Sequence, residues 1–361
     1  MIKGGLIRDM KPIKACFIML AYNTPEFFLR QAIESILNQT VPEWVLLIRD
    51  NGSNDGTTAA IIQEYAQKDS RILCCRNEIN RAPTKQELGR WHELFEQYIL
   101  SGSAEYFAFL DSDDTYAPEF LEVMYRKAQK CQAELVICGT TMVNETSKAV
   151  LKQVLPPDLF LEKKSLTSDQ FYQLYGSFRT LWGKLYHSCL FRAYLGAFNR
   201  VHRLKMNNGG DTHVVLQLLC KINRLVCVPQ SLHTYYIRNS SYYKTTKALV
   251  PIRRIKDGEQ LFLRACLTAK AYCCLTQKTV DFLYLVYEYH IHDLLDMVLK
   301  NTAMTEQDKI AYFQAAINAP LFAQIDEHSK GMRLMLSQQL AQMITSGLPI
   351  SAEQYPQLSK S

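Results

Sequence analysis

Short apolar runs alternate with segments of helical periodicity over the first 145 residues, and this alternation constrains the fold more than any other feature. The apolar runs, each as long as a buried strand, are residues 15–21, 44–48, 71–75, 106–110 and 134–143. Helical patterns follow at about 25–39, 57–68, 85–100 and 119–130. Such alternation predicts an α/β fold with a mostly parallel sheet flanked by helices. Right-handed crossovers then bring the C-terminal ends of the strands to one edge of the sheet.

Polar loops follow three of these strands, at residues 22–24, 50–55 and 111–114. The last loop contains Asp111, Asp113 and Asp114, whose carboxylates repel one another unless a cation lies among them. Carboxylate oxygens suit Mg²⁺ or Mn²⁺, and the usual partner of such a metal is a diphosphate. The alternative is a polar turn before a helix, since Asp and Ser also favour turns and N-caps. Because ligands of open α/β sheets bind at this edge, the convergence of three polar loops favours a binding site.

The composition excludes several classes of protein. With 361 residues and 48% hydrophobic residues, the chain is long enough for one large or two ordinary domains with a sizeable core. The formal net charge of +6 is small and spread along the chain, which agrees with anionic partners such as sugar nucleotides or acidic lipid head groups. No DNA- or RNA-binding motif is present, so we expect no nucleic-acid partner. The sequence does not indicate an oligomeric state.

The eleven cysteines indicate a reducing compartment, because their number is odd and none forms a C-x-x-C pair. Residues 1–12 lack the apolar stretch of a signal peptide. The sequence contains no run of 18 uncharged apolar residues, so we expect no membrane span. We therefore expect a cytoplasmic protein. A peripheral association with the inner face of the membrane stays open.

Four segments between residues 14 and 145 share the pattern of a known enzyme family. They are Leu20-Ala21-Tyr22-Asn23, Ala-Ile-Glu-Ser-Ile-Leu-Asn-Gln-Thr at 32–40, Asp-Asn-Gly-Ser-Asn-Asp-Gly-Thr at 50–57, and Phe-Leu-Asp-Ser-Asp-Asp at 109–114. In this order and spacing they resemble the family 2 glycosyltransferases, the inverting enzymes of GT-A fold that use nucleotide-diphospho sugars. Leu20 stands where the family usually has proline. The resemblance implies a GT-A catalytic domain with the Asp-x-Asp metal-binding motif at 111–113.

Three later segments continue the resemblance more faintly. Leu181-Trp182-Gly183-Lys184-Leu185-Tyr186 is similar to a Trp-x-Lys-Leu-Tyr segment of bacterial members, and Gly209-Gly210-Asp211-Thr212 falls where the family carries an acidic pair. Tyr-Tyr-Ile-Arg-Asn-Ser-Ser at 235–241 resembles the segment that closes many of these catalytic domains. The stretch 80–89 departs from the Gly-rich, Arg/Asn-containing pattern that lines the donor site. Sugar identity therefore does not follow from the resemblance.

The resemblance assigns the acidic loop to the metal. A divalent cation that bridges both phosphates acts as a Lewis acid on the leaving nucleoside diphosphate. Asp113 is the predicted direct ligand of Mn²⁺ or Mg²⁺, while Asp111 and Asp114 support it through the ribose, metal-bound water or the sugar. The alternative for Asp114 is a helix N-cap before Pro118.

The other two loops are assigned to the nucleoside. Asp50 and Asn51 are expected to hydrogen-bond the edge of uracil or another base, and Tyr22 and Asn23 to flank the nucleoside. Ordinary packing is the alternative for Tyr22.

Three residues beyond the acidic loop are assigned to the diphosphate, the acceptor or the sugar. Lys184 and Arg238 are expected to neutralise the diphosphate or contact the acceptor, with a surface charge as the alternative for each. Trp182 is placed on the acceptor side, where it stacks on a sugar face or else fills the core.

Asp211 is the predicted general base, because it follows two glycines that leave room for an acceptor hydroxyl. A base that works near pH 7 needs a raised pKa, which burial and neighbouring acids provide. The alternative is a plain N-cap of the following helix. His213 either reaches the metal or has a structural role.

The domain prediction has three parts. Residues 1–13 form an N-terminal arm, and residues 14–245 form the catalytic domain, with a nucleotide-sugar half (14–145) and an acceptor-side half (146–245). Residues 246–361 form a helical extension with helices at 252–271, 278–300, 305–317 and 332–345. This extension could bind the acceptor, a partner enzyme or a membrane surface.

The predicted function is metal-dependent transfer of a sugar from a nucleotide-diphospho sugar, UDP-linked by expectation, to a hydroxyl group. The acceptor would be a glycan, a lipid-linked molecule or a protein, in polysaccharide or glycoconjugate assembly. One alternative is a catalytically inactive nucleotide-sugar-binding module, which the departure at 80–89 keeps open. A sugar-nucleotide nucleotidyltransferase is disfavoured, because residues 20–25 lack a Gly-rich phosphate loop after the first strand.

Overall fold

The structure, a computed structural model, describes residues 12–80, 85–162, 164–206, 208–238 and 250–325. The chain divides into two compact units. The first unit contains the described residues up to 164 together with 176–196 and 221–238, and the second contains those of 165–175, 197–220 and 250–325. The division departs from the predicted boundary at 245/246, because segments 165–175 and 197–220 join the C-terminal helices.

The strands are β1 (Ile13–Ala21), β2 (Trp44–Asp50), β3 (Ile72–Arg76), β4 (Ala104–Phe109), β5 (Thr115–Tyr116), β6 (Leu135–Asn144), β7 (Val150–Val154), β8 (Phe160–Leu161), β9 (Lys184–His187) and β10 (Leu225–Ile237). The helices are α1 (Glu26–Leu37), α2 (Thr58–Lys68), α3 (Lys85–Phe95), α4 (Phe120–Cys131), α5 (Ser168–Phe178), α6 (Phe191–Leu204), α7 (Gly210–Leu219), α8 (Arg253–Ala271), α9 (Gln277–Leu299), α10 (Glu306–Ile317) and α11 (Pro320–Ile325). A π-helical turn, Glu96–Leu100, continues α3, and a 3₁₀ turn, Ser188–Leu190, follows β9.

One mixed sheet organises the first unit, in the order β3-β2-β1-β4-β9-β6-β10-β5, with β7 paired to β6 and β8 to β10. The predicted parallel arrangement of β1 to β4 is confirmed. The structure adds β9, which is antiparallel to both β4 and β6. Since β6 and β10 are parallel, the strands β1, β2, β4, β6 and β10 all end at the same edge of the sheet. This edge carries the three polar loops.

Apolar side chains from both faces of the sheet fix these strand ends. All seven residues of β2 are buried, as the apolar run predicts. Helix α1 packs Leu29, Ile33 and Ile36 against the sheet at helical spacing. A fully buried aliphatic side chain of this size contributes about 1.5–3 kcal/mol, so the strands offer a rigid support for the loops.

Helices make up most of the second unit. Helix α8 lies along α7, with the Thr268 hydroxyl donating to the Leu216 carbonyl (2.9 Å) and the Tyr272 hydroxyl to the Leu219 carbonyl (3.1 Å). Helices α8, α9 and α10 agree with the predicted helices to within one residue at each end. The predicted helix at 332–345 lies outside the described residues. Among the helices that the structure describes, none is long and apolar enough to cross a membrane.

Candidate functional site

The loops after β1 and β2 are joined by a pair of asparagine side chains. The Asn23 amide donates to Oδ1 of Asn54 (2.8 Å), and the Asn54 backbone N–H donates to Oδ1 of Asn23 (2.9 Å). The backbone N–H of Asn23 also donates to the Ser53 hydroxyl at 3.0 Å. Asn23 holds this position with a positive φ of 46°, which asparagine tolerates better than most residues. Its side chain thus links two loops of the site.

The loop after β4 is joined to the loop after β1 by a buried pair of hydroxyl groups. The Thr24 and Ser112 hydroxyls lie 2.7 Å apart, and Ser112 stands between the first two carboxylates of the acidic loop. The Thr58 hydroxyl, at the start of α2, also reaches the Thr24 carbonyl at 3.3 Å. The predicted convergence of the three polar loops is therefore visible as direct hydrogen bonds between them.

Asp111, Asp113 and Asp114 form one acidic cluster, with a carboxylate oxygen of each within 4.8 Å of the others. Asp111 is exposed, Asp113 is partly buried and Asp114 is fully buried. An all-oxygen set of this size, open on one side, fits a hard divalent cation that keeps several waters. Asp113 and Asp111 are the accessible members and are the residues that could hold such an ion.

Asp114 connects the acidic loop to β10 and does not cap a helix. Its Oδ1 accepts from the Tyr236 backbone N–H (3.0 Å), and its Oδ2 lies 3.5 Å from Nε2 of His233. Burial, and then the charge of Asp113, raise the pKa of Asp114 well above its usual value. Burial, and then Lys184, lower the pKa of His233 to about 3. His233 is therefore neutral near pH 7, and its contact with Asp114 is not an ion pair.

Arg238 forms an ion pair with Asp113, the predicted metal ligand. It follows directly after β10, so its guanidinium group reaches the acidic cluster from a strand far away in the sequence. The group also lies 5.7 Å from the ring centre of Phe28. Arg238 is thus placed at the cluster, as predicted for a residue that neutralises a diphosphate, but here it neutralises Asp113.

The predicted base-binding residues lie at the ends of β1 and β2: Tyr22 follows β1, Asp50 ends β2 and Asn51 follows it. Asp50 is 2% exposed, and its Oδ1 accepts from the Ser53 N–H at 2.8 Å. Asn51 donates its backbone N–H to the Ala21 carbonyl (2.8 Å), which fixes the loop against β1. Tyr22 is 42% exposed, so its ring is accessible for stacking and is not part of the core.

Lys184 differs from both of its predicted roles. Its side chain is buried, and its ammonium group donates to the Thr180 carbonyl (2.6 Å), the Thr180 hydroxyl (3.1 Å) and the Trp182 carbonyl (3.1 Å). It is therefore neither a surface charge nor directed at a diphosphate. Protein oxygens take its three donors, because the loop 180–182 turns back over the start of β9 and presents its carbonyl groups there.

Trp182 is half-buried and lies in an aromatic stack. Its ring is 4.4 Å from His233 and 5.8 Å from Tyr235, with interplanar angles of 18° in both cases. The stack connects the loop before β9 to the part of β10 that contacts Asp114 through His233 and Tyr236. Trp182 therefore supports the acidic cluster, and its predicted contact with a sugar stays a prediction.

Asp211 lies in the second unit, exposed on the first turn of α7. The N-cap position belongs to Gly209, which has a φ of 67°, so Asp211 is not the N-cap. Its assignment as the base stays a prediction. His213, in the same unit, is buried and both of its ring nitrogens are without a hydrogen-bond partner in the described part of the chain.

Two residues that the sequence analysis did not select complete the site of the first unit. His233 is the buried neighbour of Asp114. The sequence around it is that of an ordinary β-strand and does not mark it as a site residue. Arg76 places Nε 3.1 Å from Oδ2 of Asp50 and donates to the Ser53 carbonyl at 2.8 Å. Its position at the end of β3, on the same edge as the three loops, is the signal that could have identified it.

These loops sit on a mixed α/β sheet in the arrangement of the GT-A glycosyltransferases. Residues 16–194 match the family model described as Glycosyl transferase family 2. The chain belongs to this family, as the motifs predict.

Curated relatives support the same assignment over part of their length. An uncharacterized glycosyltransferase of Methanocaldococcus jannaschii is 30% identical over 152 residues, which cover 42% of this chain and 49% of the relative. Glycosyltransferase GlyA of Streptococcus pneumoniae is 27% identical over 235 residues, which cover 63% of this chain and 31% of the relative. The chain thus spans 49% of the length of the first relative and 31% of the length of the second.

A solved structure supports the fold. The crystal structure of residues 1–349 of S. aureus TarS in complex with UDP-GlcNAc aligns with a TM-score of 0.55 and 15% identity, covering 92% of each chain. At this identity the likeness shows the GT-A fold and its C-terminal helices.

Proposed function

We propose that the protein is a metal-dependent, inverting glycosyltransferase that moves a sugar from a nucleotide-diphospho sugar to a hydroxyl group of an acceptor. The observation that carries the proposal is the acidic cluster at the C-terminal edge of the sheet. Asp111, Asp113 and Asp114 lie together there, with Arg238 beside Asp113. Such a site suits a metal-bound diphosphate, because the carboxylates can bind the cation and the guanidinium group can bind the negative phosphate oxygens.

In this proposal Asp113 and Asp111 hold Mn²⁺ or Mg²⁺, which supplies Lewis-acid stabilisation of the leaving diphosphate. Arg238 leaves Asp113 when the cation binds, and its guanidinium group then donates to the phosphate oxygens in the bidentate manner that arginine favours. Asp114 keeps the acidic loop against β10 through the Tyr236 N–H. The Asp113–Arg238 ion pair already holds both groups at the acidic cluster.

The loop after β2 receives the nucleoside in the same proposal. Tyr22 covers one face of the base with its exposed ring, while Asp50 and Asn51 face its edge. Asn23 fixes the two loops through Asn54. A UDP-sugar is the first donor to test, because TarS, which shares the fold, was solved with UDP-GlcNAc. The acceptor class, a glycan, lipid-linked molecule or protein, belongs to the same proposal, as does peripheral association with the inner face of a membrane.

Replacement of Asp113 tests the metal assignment. We expect Asp113→Asn to lower metal-dependent turnover of the donor by at least about 100-fold, because a ligand of the Lewis acid is lost. Hydrolysis or transfer of UDP-, GDP- and dTDP-sugars with and without Mn²⁺ measures it. Asp158→Asn, at an exposed acid of the same unit, is the matched control and keeps parental turnover. Unchanged Mn²⁺-dependent turnover in Asp113→Asn would contradict the assignment, and nucleotide binding without any turnover in the parent would indicate a binding module.

Replacement of Asp211 tests the base assignment. General base catalysis contributes about 10²- to 10⁴-fold, so Asp211→Asn should lower kcat of transfer by that factor. The donor Kd, measured by calorimetry with Mn²⁺, should stay at the parental value because the nucleotide contacts are intact. Asp169→Asn, at another exposed aspartate of the second unit, serves as the control. Transfer at the parental rate in Asp211→Asn would remove it from the mechanism.

A further inference from the structure

Helices α7 and α8 enclose a group of buried polar atoms for which the described part of the chain offers no hydrogen-bond partner. They are both ring nitrogens of His213, Oε1 of Gln217 and Nε of Arg264. His213 is only 1% exposed. A buried polar group without a partner costs about 1–3 kcal/mol, so several of them at one place need an explanation.

The register between the two helices places these side chains within about one helical turn of each other. Gly209 lies against Leu261, the Leu216 carbonyl accepts from Thr268, and the Leu219 carbonyl accepts from Tyr272. The two helices therefore run side by side with an offset of 52 or 53 residues. This offset sets Arg264 level with His213, and Gln217 is one turn further on the same face as His213.

A second arginine adds to the positive charge of this group. Arg200 is exposed on α6, and the neighbouring Val201 lies against the start of α7, 3.2 Å from where a Cβ of Gly210 would be. Arg200 lowers the pKa of Arg264, after burial, which is the larger cause. Burial, then Arg264 and Arg200, lower the pKa of His213 to about 4, so its imidazole is neutral near pH 7. Within the described part of the chain, no carboxylate is among the causes of the shifted pKa values of His213 and Arg264.

We propose that His213, Gln217, Arg264 and Arg200, named here the α7–α8 cluster, form a binding site for a phosphate group. Two guanidinium groups supply charge and paired N–H donors, which match phosphate oxygens. The neutral imidazole adds one N–H donor and one acceptor. Oε1 of Gln217 is an acceptor, and a P–OH group can donate to it, whereas an ionised carboxylate has no donor to offer. Inorganic phosphate keeps a P–OH group near pH 7, whereas a phosphate monoester, with a second pKa of about 6, is mostly dianionic there and has none. The ligand is therefore inorganic phosphate and not a carboxylate.

The site is distinct from the position of Asp211. Residues two apart on a helix point to nearly opposite sides, so buried His213 faces away from exposed Asp211. Exposed Arg200 marks the side from which a ligand approaches, and partly exposed Arg264 lies behind it. The proposal therefore does not depend on the proposed transfer reaction.

Binding of inorganic phosphate to the full chain, without donor and with EDTA, tests the site. Equilibrium dialysis with labelled phosphate at constant ionic strength should show saturable binding, weakened at least tenfold in Arg264→Gln and in Arg200→Gln. Lys270→Gln removes one positive charge from the exposed face of the same helix α8 and should bind as the parent does. Acetate at the same concentration should not compete.

Each of these outcomes would overturn the proposal: no saturable binding by the parent, equal weakening by Lys270→Gln, unchanged binding by both arginine variants, or full competition by acetate. Because Arg264 is partly buried, thermal unfolding must first show that its variant is folded, and exposed Arg200 offers the second, safer substitution. Loss of binding in Arg238→Gln alone would place the phosphate at the acidic cluster of the first unit and would also overturn it. The phosphate experiment contains neither metal nor sugar donor, so its failure would not contradict the glycosyltransferase proposal. Likewise, absence of sugar transfer would not contradict the phosphate site.

Discussion

Two basic side chains, Lys184 in the first unit and Arg264 in the second, differ in their hydrogen-bond partners. The Lys184 ammonium group donates to the Thr180 and Trp182 carbonyls. In the α7–α8 cluster, two arginines lie near one neutral histidine, and Nε of Arg264 has no acceptor among the described residues. The Lys184 ammonium group is thus satisfied by protein oxygens, whereas the α7–α8 cluster is, in our proposal, completed by an anion.

This difference indicates what each region is built to do. A region whose groups satisfy one another keeps its shape before any ligand arrives, and such preorganisation lowers the cost of binding. A region whose buried nitrogen atoms have no hydrogen-bond partner has a higher free energy until a ligand supplies one, so ligand binding stabilises it. The acidic cluster lies between these cases, because Arg238 neutralises Asp113 until a cation takes its place.

The largest expected effect is a difference in the free energy of unfolding between two single variants, one in each unit, that each lose a basic side chain. Lys184→Met leaves the Thr180 and Trp182 carbonyls without their donor, and we expect a loss of about 3 kcal/mol in the free energy of unfolding. Arg264→Met removes a buried donor that has no acceptor and should change stability by less than about 1 kcal/mol, or increase it. Urea unfolding of both variants measures the difference. Equal losses in the free energy of unfolding would contradict the difference between the two side chains.

An intermediate effect is expected on acid stability. Because the folded-state pKa of His213 is about 4, the unfolded chain takes up a proton below about pH 6.5 that the folded chain does not. The free energy of unfolding therefore falls as pH decreases from 6.5 to 4, by up to about 1.4 kcal/mol per pH unit from this group. His213→Gln should flatten the curve in this window, and exposed His202→Gln should not. A parental slope in His213→Gln would show that the histidine is protonated in the folded state.

The smallest effect concerns the affinity for the metal. Arg238→Gln removes the competing cation from Asp113, and a partly exposed ion pair is worth up to about 1 kcal/mol. We therefore expect the donor-free variant to bind Mn²⁺ about fivefold more tightly, as measured by electron paramagnetic resonance titration. Arg126→Gln, at an exposed arginine of the same unit, is the control. Weaker Mn²⁺ binding in Arg238→Gln would mean that the ion pair orders Asp113 for the metal.

Periodicity was sufficient for the framework of both units. Apolar runs and helical spacing predicted β1 to β4 and the helices between them, because these elements bury one face or both. The same pattern located α8, α9 and α10. The order of strands and right-handed crossovers predicted that the three polar loops meet, and the hydrogen bonds of Asn23 and Thr24 show that they do.

Contacts between residues far apart in the sequence could not be predicted in this way. The ion pair of Asp113 with Arg238 and the contact of Asp114 with His233 depend on where β10 lies in the sheet, which no local pattern states. Lys184 has the sequence environment of an exposed strand end, and its burial follows only from the turn at 180–182. Strand β9 has four residues, too few for a periodic signal.

The position of β9 also sets an order of events during folding. It lies between β4 and β6, yet the chain reaches it some 40 residues after β6 ends. The β3-β2-β1-β4 block therefore joins β6 only when residues 184–187 insert between β4 and β6. Sheets completed by such long-range pairing fold slowly, because loop closure is required before the contacts form. A nascent chain that stops short of β9 leaves β4 and β6 without the strand that lies between them, and such unpaired edges favour aggregation. The sheet is complete only after β10, which follows β9 in the sequence.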